Sequence, residues 1–116
     1  MSLKELVDAL GLEVVAGGSL EHRVRGCYVS DLLSDVLANS REGNLWVTRQ
    51  THPNIVAVAA IKGLSAVVIT GGRSIEEETL QKARSEGVVL LRSPKDTFEL
   101  AGALYAMLKE EARKEP

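Results

Sequence analysis

Apolar positions fall along this chain in two rhythms. Near the start, Leu3, Leu6, Val7 and Leu10 recur at the three- and four-residue spacing of one helix face. Ser2 and Glu5 supply a reciprocal cap for such a helix, and Gly11 stops it. A short extended stretch at 12–15 follows and is broken by Gly17-Gly18, while the polar piece at 21–25 carries no clear pattern. From Gly26 the rhythm changes. Four short apolar runs appear at 27–29, 45–47, 66–69 and 88–91, continuous rather than alternating, as a strand covered on both faces requires.

Helical stripes separate and follow these runs: Leu32, Leu33, Val36 and Leu37; Ile55, Val58 and Ala59; Ile75, Leu80 and Ala83; then Phe98, Ala101, Leu104, Tyr105 and Leu108. Strand–helix alternation with short loops predicts right-handed βαβ crossovers. The expected fold is a single α/β domain with a mainly parallel sheet of four to five strands flanked by helices. The segment 55–61 is apolar almost all round, so it must be sandwiched inside the domain or against another chain. The helix expected over 74–86 carries a charged face and belongs at the surface. The charged end, 109–116, reads as helix fraying into solvent.

Composition narrows the function classes. A chain of 116 residues has room for one domain, expected over 1–116 with its core at about 12–108. Fourteen basic against sixteen acidic side chains give a net charge of −2, which removes the electrostatic reason to expect nucleic-acid or anionic-membrane binding. A single cysteine, Cys27, excludes an internal disulfide framework and a cysteine-cluster metal site. The N-terminus lacks the pattern of a signal peptide, and no run approaches ~20 apolar residues. The expectation is a cytoplasmic, reduced, soluble protein. Its four aromatics, Tyr28, Trp46, Phe98 and Tyr105, offer no stacking platform for single-stranded bases.

In an open parallel sheet, loop backbone and helix N-termini converge beyond the carboxyl ends of the strands, and ligands bind there. The polar residues of this chain concentrate at those ends. The candidate ligand-binding residues are Ser30 and Asp31 after the first run, Thr48, Gln50, Thr51, His52 and Asn54 after the second, Thr70, Gly71 and Gly72 after the third, and Asp96 and Thr97 after the fourth. Helix capping accounts for many of them: Ser30 or Asp31, Thr51 or His52 before Pro53, Ser74 with Glu77, and Asp96 with Glu99 are ordinary N-cap patterns. It does not account for seven polar or special residues in succession at 48–54. Nor does it explain Gly71-Gly72, which suits either a tight turn or close backbone approach to an anion such as phosphate.

His52 is placed to change charge near neutral pH, or to be an exposed cap residue. Asp31 and Asp96 form a carboxylate pair only if their strands are neighbours. Two separated histidines with no nearby carboxylate pattern predict no metal site, and no cofactor is expected. The chain has no GxxxxGK[ST], no GxGxxG and no GxSxG. Cys27, inside an apolar run, reads as an inert core thiol.

Thr70-Gly71-Gly72 at a strand end, with Asp96-Thr97-Phe98 opening the last helix, resembles the DRTGG domain family over roughly residues 12–108. The family pattern is a strand, an Asp-Arg turn, an alanine-rich helix, a strand ending in Thr-Gly-Gly, and a later segment ending in Asp-Thr-Phe. Here the Asp-Arg turn falls near Thr51-His52, where neither residue is present. The stretch 45–59 is similar instead to a stand-alone subgroup found beside iron-only hydrogenase and sensor-kinase-like genes. The resemblance implies a fold like the N-terminal domains of HPr kinase/phosphorylase and the Mur ligases, where that domain carries no catalytic phosphate loop. It also implies a regulatory or ligand-sensing role, with a hydrogenase-associated or sensor-kinase-like protein as partner.

Three functions stay open on the residues. The first is a non-catalytic regulatory domain that binds a small anionic ligand, a nucleotide or a partner protein at the rim. The second is an assembly protein without a small-molecule site, for which the apolar helix at 55–61 suggests a homo-oligomer. The third is a small enzyme using His52 or Asp96 as general acid or base.

Overall fold

Ser2 opens the chain as its spacing predicts. Its Oγ accepts the Glu5 N–H at 3.2 Å while the Glu5 carboxylate accepts the Ser2 N–H at 3.2 Å, and α1 (Leu3–Leu10) begins there. Gly11 ends it at φ 61°, a left-handed conformation that suits glycine. The computed structural model describes residues 1–114. After α1 come β1 (Glu13–Ala16), β2 (Cys27–Val29), α2 (Leu33–Asn39), β3 (Leu45–Thr48), α3 (Asn54–Lys62), β4 (Ala66–Ile69), α4 (Glu77–Glu86), β5 (Leu90–Arg92) and α5 (Thr97–Lys114).

The strands form one sheet in the order β1-β5-β4-β3-β2. Strands β2 to β5 are parallel, and β1 joins the β5 edge antiparallel, with Glu13 opposite Arg92. Every residue of β3 and β4 is buried, which explains their unbroken apolar runs. The expectation of burial on both faces fails at β2, an edge strand whose residues are half-buried or exposed. The last run also pairs later than its composition suggests. Val88 and Val89 are buried but lead into the strand, and β5 starts at Leu90.

Side chains alternate between two cores, one on each side of the sheet. Leu45, Val47, Ala66, Val68 and Leu91 pack with α1 and α5, whereas Trp46, Val67, Ile69 and Leu90 pack with α2, α3 and α4. Leu3 and Leu6 are fully buried, so the packed core reaches N-terminal of residue 12. Burying a side chain such as Leu6 or Ile55 contributes about 1.5–3 kcal/mol.

The apolar helix α3 lies between α2 and α4, so most of its surface is covered within this domain; Ile61 stays outside. That removes α3 as a reason to expect a second chain. In 21–25, Val24 is buried and its N–H donates to the Met1 carbonyl, which ties this polar piece to the start of the chain. Of the charged end, residues 109–114 complete α5 rather than fray, and 115–116 lie outside the described residues. Among the described residues no helix is long and apolar enough to cross a membrane.

Candidate functional site

Four parallel strands put four carboxyl ends on one rim of the sheet, and hydrogen bonds tie the loops there into one surface. Asp31, just past β2, is the first tie. Its Oδ1 accepts the Thr48 hydroxyl at 2.9 Å and the Arg49 N–H at 2.7 Å, and its carbonyl accepts the Gln50 side-chain amide at 2.9 Å. Thr48 Oγ1 in turn accepts the Gln50 N–H at 3.1 Å. Ser30 makes a local turn, with its Oγ accepting the Leu32 N–H, and its carbonyl accepts the indole N–H of the fully buried Trp46 at 2.8 Å. Beside it Tyr28 donates to Asp35, whose carboxyl is held below its ordinary range by hydrogen bonds from Ser30, Asn39 and Tyr28.

Neither Ser30 nor Asp31 caps α2, whose N-cap is Leu32 with no side-chain bond. The capping expected of Thr51 or His52 is also absent, since the N-cap of α3 is Pro53 and no side chain caps the helix. Thr51 is buried, and its carbonyl accepts the hydroxyl of buried Thr79 at 2.7 Å, joining the β3–α3 loop to α4. His52 is exposed, and its Nδ1 lies 2.8 Å from Glu76 Oε2, so a carboxylate does stand beside it. Asn54 is exposed in the first turn of α3. Helix α4 begins at Glu77 rather than Ser74: Gly71 and Gly72 make a turn, 73–76 follow without regular structure, and Glu76 is the N-cap with no side-chain bond.

The centre of the rim lies where the β4–α4 and β5–α5 connections meet. The hydroxyls of Thr70 and Thr97 are 2.8 Å apart, linking the end of β4 to the first residue of α5. Asp96 caps α5 as expected, accepting the Glu99 N–H at 2.8 Å. Gly71 and Gly72 both have positive φ, 80° and 61°. Their N–H groups donate to the Lys95 and Ser93 carbonyls at 2.8 and 2.9 Å. These two amides therefore build the turn, and the phosphate-facing backbone expected from Gly71-Gly72 is already engaged. Asp31 and Asp96 do not form a carboxylate pair, because β3 and β4 separate β2 from β5.

The cationic side chains at this junction are what the candidate set overlooked. A Cβ placed on Gly71 would stand 2.5 Å from Arg49 Nη1, so the Arg49 guanidinium lies directly against this glycine. The Arg73 guanidinium donates to the Arg49 carbonyl. Arg92 is clamped by Glu13, with Nη2 at 2.9 and 3.1 Å from the two carboxylate oxygens. Among the described residues, the Arg49 guanidinium and the Lys95 ammonium have no hydrogen-bond or ion-pair partner. The signal was present in the sequence, since both residues sit in the same strand-end clusters as the glycines. A hollow of about 320 Å³ between β1 and the β4–α4 connection, lined by Glu13, Ile75 and Arg92 among others, adjoins the rim.

Cys27 lies half-buried on the edge strand β2 and lines a surface groove rather than sitting in the core as expected, although burial still pushes its thiol up to about 11. Among the described residues no three His, Cys, Asp or Glu side chains gather where a metal ion could be held.

The model of the DRTGG domain family matches residues 5–107. No curated protein matches the chain. Among solved structures, the chain is similar to the CBS and DRTGG domains of the regulatory region of Clostridium perfringens pyrophosphatase, complexed with its activator diadenosine tetraphosphate. The TM-score is 0.66 at 18% identity, over 87% of this chain and 44% of that one. The likeness is one of fold, and this chain spans less than half of that structure.

Proposed function

The chain belongs to the DRTGG domain family, and on that premise we propose that it is a non-catalytic regulatory domain that senses a nucleotide or related phosphate-bearing anion at the carboxyl rim of its sheet. One observation carries this reading: the Arg49 guanidinium lies against Gly71, whose N–H is held by the Lys95 carbonyl, and neither that guanidinium nor the Lys95 ammonium has a protein partner among the described residues. Two cationic residues without protein partners, in loops that meet at the Thr70–Thr97 pair, fit an anion with several oxygens better than a neutral metabolite. Arg73 reinforces the positive side of the junction. The regulatory region of the pyrophosphatase, which takes a nucleotide activator, supports the choice of ligand class.

In this proposal the candidate residues divide by task. Asp31, Thr48 and Gln50 hold the loop that presents Arg49, Thr51 anchors it to α4, and Ser30 fixes the turn before it. Thr70, Gly71, Gly72, Asp96 and Thr97 shape the junction, and His52 and Asn54 flank it. The domain works as a unit over 1–116 in the cytoplasm, and a hydrogenase-associated or sensor-kinase-like protein reads the ligand-bound rim. No side chain at the rim is assigned a catalytic step.

Amide-resolved NMR titration with pyrophosphate, AMP, ATP and diadenosine tetraphosphate tests the reading. Shifts should concentrate at 48–54, 70–73 and 93–97 for at least one ligand, weaken with added salt and fall at least tenfold in affinity in Arg49→Ala/Lys95→Ala. No rim perturbation by any of the four would overturn it.

A further inference from the structure

Seven large apolar side chains remain exposed among the described residues, and three of them, Val29, Phe98 and Tyr105, line one groove between the β2 edge and α5. The groove measures about 700 Å³. Phe98 is 87% and Tyr105 67% exposed, although the sequence pattern placed both in the stripe that should face the core. Leu100 and Leu104, both fully buried, take that inward role, so Phe98, Ala101, Gly102 and Tyr105 form a second face of the same helix. An apolar surface of this kind on a small domain marks a contact with another molecule.

The order of this face identifies the occupant. Reading along α5 it runs large, small, small, large, and it reads the same from the other end. A rotation about an axis between Ala101 and Gly102 lays two copies of α5 antiparallel, sets Phe98 of each against Tyr105 of the other, and lets the backbones approach at the small residues. The charges agree with that arrangement. Lys109, held over the Tyr105 ring at 5.6 Å, is the charged residue of the groove. The same rotation carries it toward the second copy's α5 N-terminus, where Asp96 and Glu99 stand.

The area is adequate as well. Two rings exposed to this degree offer roughly 300 Å² per copy. With Val29, Leu108 and the Lys109 stem, the total buried by both copies is on the order of 1,000 Å², the lower end of specific interfaces.

We propose that this face of α5 binds a second copy of the chain through an antiparallel, two-fold helix pair centred on Ala101 and Gly102. The apolar anchors Phe98 and Tyr105 belong to no part of the proposed anion site, and Asp96 is the residue the two surfaces share, so changes at Phe98 and Tyr105 test dimerisation apart from ligand binding.

Sedimentation equilibrium of the full chain across the micromolar range tests it. The mass should rise from 12.5 kDa toward twice that value. Phe98→Glu/Tyr105→Glu should stay monomeric with an unchanged circular dichroism spectrum, while Ile61→Glu, on the exposed part of α3, should dimerise like the parent. A Cβ at Gly102 meets nothing within 4 Å, so Gly102→Cys in a Cys27→Ser background should fold and oxidise to a covalent dimer across the axis. A parent chain that stays monomeric throughout, a dimer that survives the double glutamate change, or no cross-link at Gly102→Cys would overturn the proposal.

Discussion

Replacing Asp31 by alanine is the sharpest test of how the rim is held together. Asp31 Oδ1 accepts two hydrogen bonds, one from Thr48 and one from the Arg49 N–H, and Thr48 is 1% exposed. In Asp31→Ala the Thr48 hydroxyl loses its acceptor away from water, which costs about 1–1.5 kcal/mol. The Arg49 N–H is exposed and water replaces part of its bond, which adds ~0.5–1 kcal/mol. The sum is about 2 kcal/mol, or roughly an 8 °C fall in Tm for a domain of this size. Urea unfolding followed by Trp46 fluorescence measures it, and Asp31→Asn should lose about half as much because an acceptor oxygen remains. A double-mutant cycle with Thr48→Val isolates the shared bond and should give a coupling of about 1 kcal/mol. A coupling near zero would refute the claim that Asp31 pins the loop that presents Arg49.

Three further outcomes follow from the coordinates. Gly17→Ala should cost about 3 kcal/mol or more in urea unfolding, because φ is +114° and the new Cβ would meet the Val88 carbonyl oxygen and Val89 Cα, both backbone atoms, at 2.4 Å. Cys27, pushed up to about 11 from 9.0, should hold about a hundredfold less thiolate than an ordinary cysteine at pH 8, and its alkylation should slow to match until the protein is unfolded. Asp35 sits below its ordinary 3.8, so its stabilising contribution is complete above that value and is lost as pH falls through its folded pKa; Asp35→Asn should flatten that acid limb of the stability curve.

The fold was readable where local pattern and tertiary packing ask for the same residues. Ser2, Glu5 and Gly11 delimit α1 through bonds made within a few positions of one another, and the runs of β3 and β4 are apolar throughout because both faces are covered. The rim was readable for the same reason, since parallel strands place successive loops together whatever their detail. What escaped was decided by partners far along the chain. Thr51 resembles a cap, but its carbonyl is claimed by Thr79. Gly71 and Gly72 look equally suited to a turn or to an anion, and only the Ser93 and Lys95 carbonyls decide between them. Phe98 shares its spacing with the inward residues of α5, yet the helix turns it outward, because periodicity specifies a face without saying what that face meets.

The clamp between Glu13 and Arg92 spans 79 positions of sequence, and β1 pairs only with β5. This strand therefore has no partner until almost the whole domain has been laid down, and it contributes the most non-local pairing in the sheet. Closing a contact of that span costs more chain entropy than any of the parallel pairings, each made across a short crossover. Loosening of β1 would undo the salt link at Arg92 and uncover one flank of the rim while the parallel strands stay intact. The N-terminal strand is thus the segment whose release would alter the rim without melting the domain.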